Sequence, residues 1–139
     1  MDHSLTMRST YERINSGDIE GFGALVADDF VEHEEQPDLP PTKEGVLAFF
    51  RTLQTAFPDM SMDVQDVIAS GEKSVARVVI TGTHRGEFMG VPPTGRRVEV
   101  QLIDIMRFDE VGLVCEHWGV MDALSLMQQL GVVPAAPPG

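Results

Sequence analysis

The sequence predicts an α+β domain shaped like a cone, in which helices pack on a strongly curved, mainly antiparallel sheet. Two observations lead to this class. Apolar residues recur every three or four positions in the first part of the chain, as in amphipathic helices. From Met60 onward they alternate with polar residues over four consecutive segments, as in half-buried strands. Helices segregated from an antiparallel sheet define the α+β class, and a sheet that curves around them leaves an open end where a pocket is expected.

Three helices are predicted before the sheet and a short one after it. The four segments are residues 3–16, 19–27, 43–57 and 123–130. Asp18 and Thr42 are suitable caps for the second and third helices, because their side-chain oxygens can accept hydrogen bonds from free backbone amides. Gly131 ends the last helix.

One short extended segment, Asp28 to His33, and four longer strands are predicted. The strands are residues 60–69, 74–84, 96–108 and 113–121. The second and third are joined by a connection rich in glycine and proline, which is longer than a tight hairpin needs. Such a connection is as consistent with a rigid structural loop as with a pocket wall.

With 139 residues, the chain has the length of one domain, which we place at 1–133 with a flexible tail at 134–139. No apolar run approaches the ~20 residues of a membrane span, and the N-terminus lacks the pattern of a secretory signal. The single cysteine, Cys115, is interpreted as a small buried apolar residue in a reducing compartment. We therefore expect a cytoplasmic protein with no membrane partner.

The net charge of −12, from 22 acidic and 10 basic residues, argues against a nucleic-acid partner because it would repel a phosphate backbone. The sequence contains no phosphate-binding glycine loop, dinucleotide fingerprint, nucleophile elbow or zinc motif. Individual polar side chains are therefore considered as candidates for acid/base chemistry.

Asp122 is the first candidate for that chemistry. Strand alternation places it on one face with Glu116, Trp118 and Val120, and places His117 on the other face. Apolar neighbours would desolvate the carboxylate and raise its pKa toward the value that a general acid or base needs. Because Asp122 stands directly before the last helix, it is equally suited to be the N-cap of that helix.

Two further polar residues are candidates. Asp104 interrupts an otherwise apolar strand face, so it is expected either in a pocket or beside a nearby Arg or His. His33 follows the first extended segment among acidic residues. It lacks a second histidine at ligand spacing, so a pocket role and a plain surface position are favoured over a metal site.

Several segments taken together resemble the SnoaL-like polyketide cyclase family of the nuclear transport factor 2-like superfamily. The matching stretches, in chain order, are Asp29–His33, Thr83–Arg96, Met106–Phe108, Glu116–Trp118 with Asp122, and Gln129–Gly131.

The resemblance implies a homodimer or homotetramer of cone-shaped subunits, each with an apolar pocket for an aromatic or apolar small molecule. It also implies an intramolecular aldol ring closure without cofactor or metal. Asp122 would be the acid/base residue, with His33 and His117 orienting or polarising carbonyl groups. The residues expected to bind substrate are Trp118, Phe30, Phe50, Phe88, Met89, Asp104 and Met106.

Because a fold does not determine chemistry, two alternatives stay open. One is another reaction on the same scaffold, such as isomerisation, epoxide hydrolysis or cofactor-free hydroxylation. The other is a domain that binds a small molecule or dimerises without catalysis.

Overall fold

The computed structural model describes residues 2–134, so the predicted tail lies outside the described residues except for Pro134. The helices are α1 (His3–Asn15), α2 (Ile19–Gly23), α3 (Lys43–Ala56) and α4 (Ala123–Leu130). The strands are β1 (Val26–Glu32), β2 (Ser61–Ser70), β3 (Lys73–Thr83), β4 (Arg97–Phe108) and β5 (Val114–Met121). The predicted α+β class, with three helices before the main sheet and one after it, is confirmed.

Capping side chains begin all four helices. Asp2, Asp18, Thr42 and Asp122 each accept a hydrogen bond from a backbone amide in the first turn. These bonds satisfy amides that have no partner within the helix. Gly131 ends α4 with φ 79°, a left-handed conformation that glycine adopts without steric cost.

The five strands form one sheet in the order β1-β5-β4-β3-β2. Strands β2 to β5 pair with their chain neighbours in antiparallel fashion and form a meander, as expected for a mainly antiparallel sheet. Strand β1 instead pairs parallel to β5, so that Glu32 lies beside His117. An N-terminal strand and a C-terminal strand therefore meet at one edge of the sheet.

The start of β1 differs from the sequence prediction. Val26 and Ala27 were expected in the second helix, but α2 ends at Gly23 and β1 begins at Val26. Val26 pairs with Val114 of β5 and is 2% exposed. Burial against β5 thus outweighs the helical spacing of Phe22 and Val26.

The concave face of the sheet packs against the helices. One apolar cluster joins α1, α2 and β1 to the centre of the sheet, and a second joins α3 and α4 to β4. Fully buried side chains such as Met7 and Phe108 belong to the first cluster. Among residues 2–134, no helix has the length and apolar content required to cross a membrane.

Candidate active site

A cavity of about 370 Å³ opens between the helices and the concave face of the sheet. Its walls are largely apolar. Its phenylalanines are Phe22, Phe30, Phe49, Phe50, Phe57 and Phe88. A group of contacting polar residues, which we call the acidic cluster, also lines the cavity; it consists of Tyr11, Glu32, Glu34, Asp104 and His117. An apolar cavity with a few convergent polar groups is typical of a small-molecule site.

His117 is the centre of the acidic cluster. Its Nδ1 lies 2.6 Å from Oε1 of Glu32, and its Nε2 lies 2.7 Å from Oδ1 of Asp104. Burial opposes protonation of the ring. The hydrogen bonds to Asp104 and Glu32, and the charges of both carboxylates, outweigh burial and raise the pKa of His117 to about 10. The ring is therefore a cation at neutral pH, and both of its N–H groups are engaged.

Tyr11 holds the other oxygen of Asp104. The phenolic hydroxyl donates to Oδ2 of Asp104 at 2.6 Å, and both residues are buried. Burial and the negative charge of Asp104 raise the pKa of Tyr11, so its hydroxyl stays protonated. Asp104 thus accepts one hydrogen bond on each carboxylate oxygen, which stabilises its charge inside the protein.

Glu34 is the member of the acidic cluster whose carboxylate is open to the cavity. One of its oxygens lies within 4.8 Å of both an Asp104 oxygen and a His117 ring nitrogen. Within residues 2–134, nothing donates a hydrogen bond to this carboxylate. Burial raises the pKa of Glu34; the charge of His117 opposes that rise, and the charges of Asp104 and Glu32 add to it. A raised pKa brings a carboxyl group closer to the range that general acid/base catalysis requires.

Seven of the ten site residues expected from the sequence line the cavity. They are Phe30, Phe50, Phe88, Met89, Asp104, Met106 and His117. Asp104 fulfils both expectations stated for it, because it lines the cavity and is also paired with a histidine.

His33 and Trp118, both expected in the pocket, lie instead on the outer face of the sheet. Their rings stack with centroids 4.7 Å apart, and Nζ of Lys73 lies 4.9 Å from the Trp118 ring. His33 also contacts Glu116, whose carboxylate accepts a hydrogen bond from Arg107. The cation and the stacked ring stabilise Trp118 on the convex side, away from the cavity.

Asp122 does not have the desolvated setting expected for it. The residue is exposed, and its Oδ1 accepts a hydrogen bond from the Ser125 amide at 3.1 Å as the cap of α4. Strand β5 runs in unbroken register with β4 from Glu116 to Met121. No bulge therefore brings Asp122 to the face that carries His117, although its chain neighbours Met121 and Ala123 line the cavity.

Sequence reasoning missed Tyr11, Glu32 and Glu34 as site residues. A signal for the two glutamates was available, since alternation from the apolar residue Phe30 places Glu32 and Glu34 on the same face. Tyr11 lies at helical spacing with the apolar residues Met7 and Ile14, which is typical of a buried helix face, but nothing in the sequence pairs it with Asp104.

The glycine-rich connection between β3 and β4 is held by internal hydrogen bonds and forms part of the cavity wall. His84, fully buried, accepts a hydrogen bond at Nδ1 from the Thr94 amide, and Phe88 pairs with Val91 across a tight turn. Met89 at the turn has φ 51°, and the following Gly90 has φ 77°. This turn places Phe88 and Met89 at the cavity.

Glu34, Asp104 and His117 are also spaced so that together they could hold a metal ion. Both ring nitrogens of His117 already contact carboxylates, so coordination would require breaking the pair with Asp104.

Comparisons with known proteins agree with this architecture. The family described as SnoaL-like polyketide cyclase matches residues 5–130. IdmH, a candidate polyketide cyclase from Streptomyces antibioticus, is 38% identical with a TM-score of 0.81, over 94% of this chain and 99% of that one. AclR, a candidate hydroxylase from Streptomyces galilaeus, is 30% identical with a TM-score of 0.85, and the match covers 97% of this chain and 84% of AclR. TsrD from Streptomyces laurentii is 31% identical with a TM-score of 0.84, and the match covers 93% of this chain and 94% of TsrD. No curated protein matches the chain.

Proposed function

The chain belongs to the SnoaL-like polyketide cyclase family, and from this we propose that it is an enzyme that closes a ring in a polyketide by an intramolecular aldol reaction, without a cofactor. The observation that carries the proposal is the open carboxylate of Glu34 beside the His117–Asp104 pair in an apolar cavity. The substrate we propose is an apolar or aromatic polyketide with a β-keto ester group.

The proposed reaction needs only one group that takes and returns a proton. A carbon between two carbonyl groups is already acidic, and Glu34 removes its proton. The enolate carbon then attacks a carbonyl carbon of the same molecule, which forms the new C–C bond and an alkoxide. Protonated Glu34 returns its proton to the alkoxide, so the substrate and the product are isomers.

The other members of the acidic cluster assist without exchanging the proton. The cationic ring of His117 offsets part of the negative charge that the neighbouring carboxylates place beside the enolate, and Asp104 and Glu32 hold that ring in place. Tyr11 fixes Asp104 in turn. The apolar walls keep the two reacting parts of the substrate together and exclude water.

We assign the proton transfer to Glu34 in preference to Asp122, the residue that the family resemblance implies. Asp122 is exposed and uses its carboxylate to cap α4, whereas Glu34 is half-buried with a raised pKa. General acid/base catalysis requires a carboxyl group with a raised pKa, and the setting of Glu34 provides it.

The experiment that tests the proposal compares E34Q with E12Q, which alters an exposed glutamate of α1. The probes are aromatic polyketide methyl esters with a 1,3-dicarbonyl group, and the assay measures ring closure and exchange of the acidic proton with deuterium from solvent. In E34Q, the rates of ring closure and of deuterium exchange are both expected to fall by about 10²- to 10⁴-fold. E12Q should keep both rates at the wild-type value. Equal rates for E34Q and the wild type would overturn the assignment.

Hydroxylation is a second candidate function, and the similarity to AclR favours it. The same deprotonation would begin it: the carbanion and molecular oxygen would form a C–O bond and, after protonation, a hydroperoxide. A two-electron reductant from solution, such as a thiol, would then convert the hydroperoxide to the hydroxyl product and water. Product mass separates the two reactions, because ring closure leaves the mass unchanged and hydroxylation adds oxygen.

A further inference from the structure

Gly119 lies inside strand β5 at the point where the acidic cluster converges. It pairs directly with Asp104 of β4 and follows His117 by two positions, so its missing side chain would point to the cavity side. Glycine within a strand lowers stability and often marks a place where another group approaches closely. Here the approaching groups belong to the candidate site.

A Cβ atom at position 119 would collide with three side chains of the acidic cluster. It would lie closest to Oε2 of Glu34, nearer than any non-bonded contact allows. It would also lie 2.8 Å from Cε1 of His117 and 2.9 Å from Oδ1 of Asp104. The volume that a side chain would fill is therefore occupied by the Glu34 carboxylate.

These three groups differ in their freedom to move. Hydrogen bonds to Tyr11 and Glu32 fix Asp104 and His117 on either side of the position. The Glu34 carboxylate is the far end of a flexible side chain that no described residue holds by a hydrogen bond. A methyl group at position 119 would therefore displace Glu34 first, with the sheet and the His117–Asp104 pair largely retained.

We propose that Gly119 is a positioning residue, whose lack of a side chain allows the Glu34 carboxylate to sit against the His117–Asp104 pair. The inference rests on the proposed function, in which Glu34 transfers the proton. It assigns to Gly119 no contact with the reacting atoms.

Carbon-13 NMR of the glutamate side chains, recorded as a function of pH, tests the placement without any activity assay. In the wild type the Glu34 carboxyl should titrate above the ordinary glutamate range, and in G119A it should return to that range. The control is G82A, which adds a methyl group inside β3 against Phe57 and should leave the Glu34 titration unchanged. An unchanged Glu34 titration in G119A would overturn the proposal.

Turnover provides the second test, through the variants G119A, E34Q and G119A/E34Q. G119A alone should lower turnover by about 100-fold, the effect of a misplaced catalytic group. In the E34Q background the same change should have little further effect. A full additional loss in that background would show that Gly119 does not act through Glu34. If E34Q itself has wild-type turnover, the proposed function fails, while the titration still decides the role of Gly119.

If G119A does not fold, the test becomes whether the variant G119A/E34A folds. Removal of the Glu34 carboxylate removes the closest collision, so the double variant should fold. If neither variant folds, the glycine is needed for packing against the fixed pair alone, and the proposal is wrong.

Discussion

The phenolic oxygen of Tyr11 lies 2.6 Å from Oδ2 of Asp104, although 93 residues separate the two in the chain. The bond ties the N-terminal helix to the middle of the sheet, inside the candidate site. Y11F would remove the donor and leave a buried carboxylate oxygen without its partner. We expect the free energy of unfolding to fall by about 1.5–3 kcal/mol, the range for hydrogen bonds to charged groups.

Urea denaturation measures that loss. In a D104N background, where the acceptor is no longer charged, Y11F should lower the free energy of unfolding by less. Equal losses in the two backgrounds would show that Tyr11 contributes through packing and not through Asp104.

The raised pKa of His117 predicts that stability depends on pH. Because the ring binds its proton more tightly in the folded state, its contribution is complete below the unfolded pKa of 6.5 and declines as pH rises toward 10. We expect the difference in unfolding free energy between the wild type and H117Q to shrink between pH 6.5 and pH 10. A difference that stays constant across this window would contradict the protonated state of His117.

Asp122 offers a direct comparison of the cap and acid/base roles. D122A removes the acceptor for the Ser125 amide and should lower the unfolding free energy by about 0.5–2 kcal/mol. D122N should be less destabilising, because asparagine is also a good N-cap. If Glu34 transfers the proton, D122N keeps turnover near the wild-type value. A loss in D122N as large as that in E34Q would assign the proton transfer to Asp122.

The expected homodimer or homotetramer is still a prediction, and the outer face of the sheet is where we would test it. An apolar row crosses four strands there, through the paired residues Ile68, Val75, Ile105 and Trp118. Val120, on the same face of β5, is 70% exposed in the single chain. Exposed apolar surface of this kind often marks a protein interface.

V120E should therefore dissociate the oligomer in sedimentation velocity experiments. V111E is the matched control, because Val111 is 73% exposed but lies in the turn between β4 and β5. An assembly of unchanged size in V120E would place the contact elsewhere.

The periodicity of the sequence was sufficient to predict the class of the fold and most element boundaries. It could not predict that β1 lies parallel to β5, because pairing between distant strands leaves no local pattern. The same limitation explains the misassigned start of β1, where Val26 continues a helical spacing but is buried beside Val114.

Alternation in β5 correctly separated His117 from Trp118 and Asp122, but it does not say which face is interior. Trp118 and Val120 make their face the more apolar one, so the sequence alone predicts that face as the pocket side. In the structure this face is the outer one, where Trp118 stacks on His33. On the true inner face, the apolar signal was weakened by Gly119, the residue that makes room for Glu34.

The parallel pairing of β1 with β5 also bears on the order in which the protein folds. Strands β2 to β5 join through near neighbours in the chain, whereas Glu32 and His117 are 85 residues apart. Closing so long a loop is entropically unfavourable, and contacts of high sequence separation slow folding. A chain that has completed the meander but not docked β1 would have most of its sheet and no acidic cluster. Recovery of activity after dilution from denaturant would therefore lag behind recovery of β-sheet structure.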